Sequence, residues 1–214
     1  MTFVDIIVFI IYLIIFFFIF RKTWNRYEDP VLRKNYRISF WVKVIACIAF
    51  IYYQMYVSIG DSVNLYQKES NNIYNLILED PRRIEWLFQK GQYFNEAFLK
   101  DSFNVGYFSS EANFMIIRFV TLLSFVTAGS YPAICLIFAM VALTGIWKLY
   151  LFFYAQYPHL HKKLALAILF IPSLVFWSSG MLKDPVCISS LGWFTYASYE
   201  LLFKKKSFLK NHLS

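Results

Sequence analysis

The chain has 214 residues, 59 % of them hydrophobic, 21 % aromatic and only 16 % charged, with a mean hydropathy of +0.49. A soluble domain of this length carries far more charge, and the apolar residues here fall in long blocks that a soluble core would not need, so a polytopic all-α membrane bundle is expected and soluble enzyme classes are excluded. The formal net charge of +8 is spread in short basic runs between apolar blocks, the pattern of cytoplasmic membrane loops, which makes the lipid bilayer the expected partner and excludes nucleic acid.

The first apolar block covers residues 4–20 and ends in Arg21-Lys22. A signal peptide puts its positive charge before the apolar stretch and small residues after it, so a retained helix with its N-terminus outside is expected. Residues 21–38 hold six basic residues, Arg21, Lys22, Arg26, Arg33, Lys34 and Arg37, against Glu28 and Asp29, and are expected in the cytoplasm. A second span is predicted over 40–59, with Lys43 snorkelling near its cytoplasmic end and Tyr52, Tyr53 and Tyr56 at the outer interface. Gly60 ends that helix. Residues 61–113 carry eight acidic and five basic side chains and are expected outside. Within them Ile84, Leu87, Phe88, Gly91, Phe94 and Phe98 recur near helical spacing, which fits either a helix lying in the membrane interface or a helical cap packed on the spans.

Residues 114–128 are apolar but number only 15 and contain Arg118, which is short for a spanning helix. Gly129-Ser130-Tyr131-Pro132 breaks the chain, and 132–154 is long enough to span. After the basic stretch 156–163, the block 164–179 is expected to kink or break near Pro172, and a last helix is predicted over 185–203 before Lys204, Lys205, Lys206 and Lys210. The expectation is about five spanning helices plus one short helix, in a single membrane domain. For the basic ends to be cytoplasmic and the 61–113 loop outside, 114–128 must enter and return without crossing. The competing arrangement has two full crossings and a weak charge bias at one end. On the re-entrant arrangement, residues 178–184 face the same side as Asp61.

Polar groups at membrane depth are costly, and they tend to be paired or functional. Asp61 follows Gly60 at the membrane surface, where it could be a general base for a hydroxyl or the N-cap of the next helix. In Lys183-Asp184-Pro185, proline suits the first helical turn and aspartate the N-cap. The free N–H groups of that helix start, with the Lys183 ammonium, could hold a lipid-linked phosphate; an interfacial lysine beside a cap is the plain alternative. Arg118 could pair with Asp61, bind a phosphate or snorkel. His159 and His161 lack nearby carboxylates or thiols, and Cys47, Cys135 and Cys187 form no CxxC pair, so no metal or cofactor is expected. No DxD, Walker, G-x-S-x-G or HExxH sequence is present.

Two stretches carry a family resemblance. One is Tyr52-Tyr53-Gln54-Met55-Tyr56 leading to Gly60-Asp61-Ser62 and Tyr66. The other is Ile171-Pro172-Ser173-Leu174-Val175-Phe176-Trp177-Ser178-Ser179-Gly180-Met181-Leu182-Lys183-Asp184 with Gly192-Trp193. They resemble largely uncharacterised bacterial multi-pass proteins of the inner membrane that are similar to GT-C glycosyltransferases and surface-polysaccharide polymerases. The resemblance implies sugar transfer from a polyprenyl-phosphate carrier on the outer face, with an acidic residue early in the first large external loop, where Asp61 stands. Lys183, Arg118 and the Asp184 turn would then surround the carrier phosphate. Such proteins usually have about twice as many helices, so the chain is expected to be the N-terminal half of a longer protein, inactive alone and needing a partner chain or further helices. The rival expectation is a non-catalytic transport or assembly subunit.

Overall fold

The computed structural model describes residues 2–88 and 110–204, and these are helical, with no strand among them. Helix α1 is Phe3–Trp24, started by a Thr2–Asp5 capping box. Helix α2, Pro30–Tyr52, starts with proline at N1 under an Asp29 cap and continues through a π turn to Val57. A π turn at Ser62–Gln67 leads into α3, Lys68–Glu79, and a 3-10 helix at Pro81–Phe88 follows. Then come α4 (Glu111–Thr127), α5 (Tyr131–Gln156), the single turn α6 (His161–Leu164) with a π turn to Leu169, α7 (Pro172–Trp177) and α8 (Lys183–Tyr199).

Among the described residues three helices are long and apolar enough to cross a membrane: Phe3–Trp24, Pro30–Val57 and Tyr131–Gln156. The first makes the case by itself. Ten large apolar side chains of α1, from Phe3 to Ile19, are exposed, and only Phe20 and Trp24 are buried. Each such side chain left in water forgoes roughly 1.5–3 kcal/mol. A helix that is apolar all round and bare on most of its surface is stable only where the surrounding medium is itself apolar. The second helix starts ten residues earlier than the sequence predicts, because Asp29 and Pro30 form an N-terminal signal outside the apolar block. The interfacial stripe is described only in part. Residues 81–88 form a 3-10 helix with Leu87 buried and Ile84 and Phe88 exposed, while Gly91, Phe94 and Phe98 lie outside the described residues.

Helix α5 is the core, and its neighbours give each element a direction. At its Tyr131 end, Ser130 Oγ donates to Asp5 O at the start of α1, and Tyr131 shares a hydrogen bond with Ser62 just beyond α2. At its Gln156 end, Trp147 Nε1 donates to Tyr27 OH, Asn35 Nδ2 to Tyr150 OH and Tyr154 OH to Asp29, all in or beside the α1–α2 turn. So α1 runs parallel to α5 and α2 antiparallel. Along α8, Ser189 bonds Val141, Trp193 bonds Thr144 and Tyr199 packs on Phe152 at 5.3 Å, so α8 is parallel to α5 as well. The basic stretches 21–37 and 157–163 therefore share one end of the bundle. The chain from Ser62 to Ser130 begins and ends at the other. Within it α4 is one uninterrupted helix lying against the π turn: Tyr66 OH reaches Asn113 near its start, and Gln67 Nε2 donates to Gly129 O beyond its end.

The aromatic cluster at the basic end has a pH consequence. Asp29 accepts from Tyr154 OH at 2.6 Å and from the Val31 N–H at 2.8 Å, and the tyrosine hydroxyl above all holds its carboxyl below the usual carboxylate range. A carboxyl with a depressed folded pKa contributes stability above its unfolded value, about 3.9, and loses it as pH falls through the folded value. Thermal unfolding in micelles should therefore show acid destabilisation below pH about 4 that Asp29→Asn reduces. An unchanged acid slope in the variant would remove Asp29 from this role.

Candidate functional site at a broken helix

The buried stripe of α2 is Tyr36, Phe40, Lys43, Cys47, Phe50 and Gln54, a 4-3-4-3-4 spacing that turns one face to α5 and α7. Lys43 belongs to that face and is 3 % exposed, so it does not snorkel. Its ammonium donates to Ser178 O at 2.9 Å, Ser179 Oγ at 3.2 Å, Val175 O at 3.4 Å and Ser178 Oγ. The two serine hydroxyls donate in turn to Leu174 O and Val175 O, which leaves their lone pairs facing the ammonium. Lys43 thus closes the C-terminal end of α7, where carbonyls have no helical partner. Taking an ammonium out of water costs several kcal/mol. Charge-assisted hydrogen bonds of about 1.5–3 kcal/mol each offset that cost here, and all four acceptors are carbonyl or hydroxyl oxygens.

This clamp fixes the break between α7 and α8. Pro172, with Ile171 extended as N-cap, restarts the helix after the 165–169 π turn, as the sequence predicts. Gly180 lies on the Phe50 ring, and a Cβ there would overlap the ring. Phe50 also packs on Phe176 at 5.5 Å and Tyr53 on Phe176 at 5.6 Å. Met181 is fully buried and its N–H meets the Cys135 thiol, which sets the break about one turn inside the Tyr131 end of α5. Helix α8 then starts at Lys183, with Leu182 as an extended N-cap that makes no side-chain cap bond. Asp184 is therefore in the first turn and is not the N-cap, because Leu182 is the residue held in the extended conformation.

At the same end, Gln54 Oε1, on a side chain 4 % exposed, accepts the Gly60 N–H at 3.0 Å. Gly60 O accepts from Val63 and Asn64, so the turn needs no carboxylate. Asp61 is exposed, precedes the π turn and makes no side-chain cap bond, which leaves its carboxylate outward. Asp61 and Lys183 thus both lie toward the Tyr131 end, one beside Ser62 and the other two residues beyond Met181, and they form no ion pair with each other. Arg118 does not pair with Asp61. It pairs with Glu111 at 3.5 Å and lies 4.2 Å from the Phe114 ring centroid, because positions 111, 114 and 118 share one face of α4.

Sequence reasoning found the Ser178–Asp184 break and missed Lys43, which holds it, and Gln54, which holds the Gly60 turn. Among the described residues no group of three or more His, Cys, Asp and Glu could hold a metal ion; His159 is exposed, and His161 Nδ1 contacts Pro158 O. The class these features define is an all-helical protein with three helices fit to cross a membrane and a lysine-clamped helix break among them. Comparison with protein families, with curated proteins and with solved structures finds no match to this chain.

Proposed function

We propose that this chain is a multi-pass protein of the bacterial inner membrane that handles polyprenyl-phosphate-linked sugars in cell-surface polysaccharide synthesis, as a glycosyltransferase of the GT-C kind. The observation that supports this reading is that the outward Asp61 and the start of α8 share one end of the bundle, while the basic stretches 21–37 and 157–163 share the other. By the positive-inside rule the basic end is cytoplasmic and the Asp61 end faces out. There Asp61 takes the proton of an acceptor hydroxyl as its oxygen bonds to the anomeric carbon. The bond from that carbon to the carrier phosphate breaks, and the phosphate leaves with the electron pair toward Lys183 and the first N–H groups of α8. Lys43 acts as a positioning residue, holding the break from which α8 starts. Arg118 would join only by leaving Glu111.

The test is sugar release from a radiolabelled polyprenyl-phosphate donor by the chain in proteoliposomes, with an added acceptor glycan. Asp61→Asn should lower the rate by roughly 10²–10⁴-fold, the contribution of a positioned base, with donor binding kept. Lys183→Gln should weaken donor binding. Equal rates in wild type and Asp61→Asn would remove the proposed base.

A further inference from the structure

A crevice of about 290 Å³ opens between α4, α5 and α8. Its lining is wholly apolar and includes Phe119 and Leu122 of α4, Ile137, Phe138 and Val141 of α5, and Val186 of α8. Phe119, Leu122 and Val141 are each more than 40 % exposed, so the crevice opens on the outer surface of the bundle. Its wall on α5 belongs to a helix fit to cross a membrane, which puts the opening against lipid chains.

We propose that this crevice seats one acyl chain of an anionic phospholipid from the surrounding leaflet, with its headgroup at Lys183. Charge and register support that occupant. Lys183 stands three residues before Val186, on the same face of α8 and one turn nearer the Tyr131 end. The chain therefore runs inward along α5 while the phosphate stays at the level of the first turn of α8, the orientation of a lipid in its own leaflet. Asp184 is the other charge in that turn; it is exposed and lies about 100° around the helix from Lys183. Arg118, one turn from Leu122 on α4, is paired with Glu111. The inference rests on the reading above for the placement of that turn at headgroup level, and it needs no transfer chemistry.

The probe is the full chain in nanodiscs of phosphatidylcholine with a minor share of phosphatidylglycerol, released into the gas phase for native mass spectrometry. Retained phosphatidylglycerol should exceed its share in the disc by about fivefold, the effect of one lysine at an anionic surface. Val141→Trp, which fills the crevice, should abolish retention of both lipids. Lys183→Gln, which removes the charge and keeps most of the stem, should leave one lipid bound and erase the preference, so the inference is tested even if the tryptophan variant fails to fold. Retention in proportion to disc composition, or a preference unchanged by Lys183→Gln, would overturn it. Because the transfer reading brings the carrier phosphate to the same Lys183, an equal amount of polyprenyl phosphate should compete away the phosphatidylglycerol preference while one phospholipid stays seated; loss of all phospholipid to the carrier would overturn the inference, by assigning the crevice to the carrier, and would leave the transfer reading standing.

Discussion

Lys43→Ala is expected to be the most damaging single change in the bundle, at about 2–5 kcal/mol, with Lys43→Met costing less. Two effects oppose each other. Removing the ammonium relieves its desolvation, worth several kcal/mol. It also deprives Ser178 O and the two serine hydroxyl oxygens of their donor, and a buried acceptor left bare costs about 1–3 kcal/mol. These nearly balance for methionine, which keeps the volume, so Lys43→Met should fold. Alanine adds a cavity worth about 2–5 kcal/mol. The local effect is larger than the global one in both variants, because among the described residues the polar bonds from α2 to the end of α7 all come from Lys43. Cys135 reports on this directly. It is buried beneath the Met181 N–H, whereas Cys187 is exposed. With Cys47 and Cys187 both replaced, by alanine and serine, maleimide should modify Cys135 much faster in Lys43→Met than with Lys43 present. Equal rates would show that the break keeps its shape without the clamp.

Gly192→Val is the second large effect. Helices α5 and α8 approach so closely that a Cβ on Gly192 would overlap the Gly145 carbonyl, and one on Gly145 would overlap the Ser189 backbone. The obstacle in each case is main chain, which cannot rotate away, so the helices must part. Overpacking costs about 1–3 kcal/mol where a core can adjust, and here the upper end is expected because separation also strains Ser189–Val141 and Trp193–Thr144. Small residues at such a crossing are what let two helices associate in lipid. Thermal unfolding in micelles should show Gly192→Ala destabilised and Gly192→Val more so. A valine variant as stable as wild type would mean that the two helices are not packed in this register.

How much of this was legible in the chain follows from where each signal lives. Helices α1 and α5 each carry a long apolar run, and hydropathy alone finds them. Pro172 announces its break because proline removes a donor and fixes φ, both local effects. The true start of α2 was hidden because Asp29-Pro30 lies among charges, where an apolar window sees nothing. Lys43 was misread for a related reason. A lysine near the predicted end of a span has two solutions, snorkelling or burial, and the choice depends on Ser178 and Ser179, 135 residues or more away. The 36-40-43-47-50-54 stripe was readable and would have put Lys43 on the packed face. Arg118 found Glu111 because both lie on one face of a helix that begins earlier than its apolar block. The outward Asp61 was open from sequence because Gly60 allows either a cap or a bare turn, and the Gln54 amide decides it.

The shared end of Asp61 and the α8 start is the claim on which the functional reading stands, and sidedness labelling tests it most directly. With Cys187 replaced by serine and Cys47 and Cys135 buried in the bundle, one cysteine at a time introduced at Asp61, Asp184, Glu28 or His159 would be treated with a membrane-impermeant maleimide on intact cells and again after permeabilisation. Asp61→Cys and Asp184→Cys should react on intact cells, and Glu28→Cys and His159→Cys only after permeabilisation. Reaction of Asp61→Cys and Asp184→Cys from opposite sides would contradict the account.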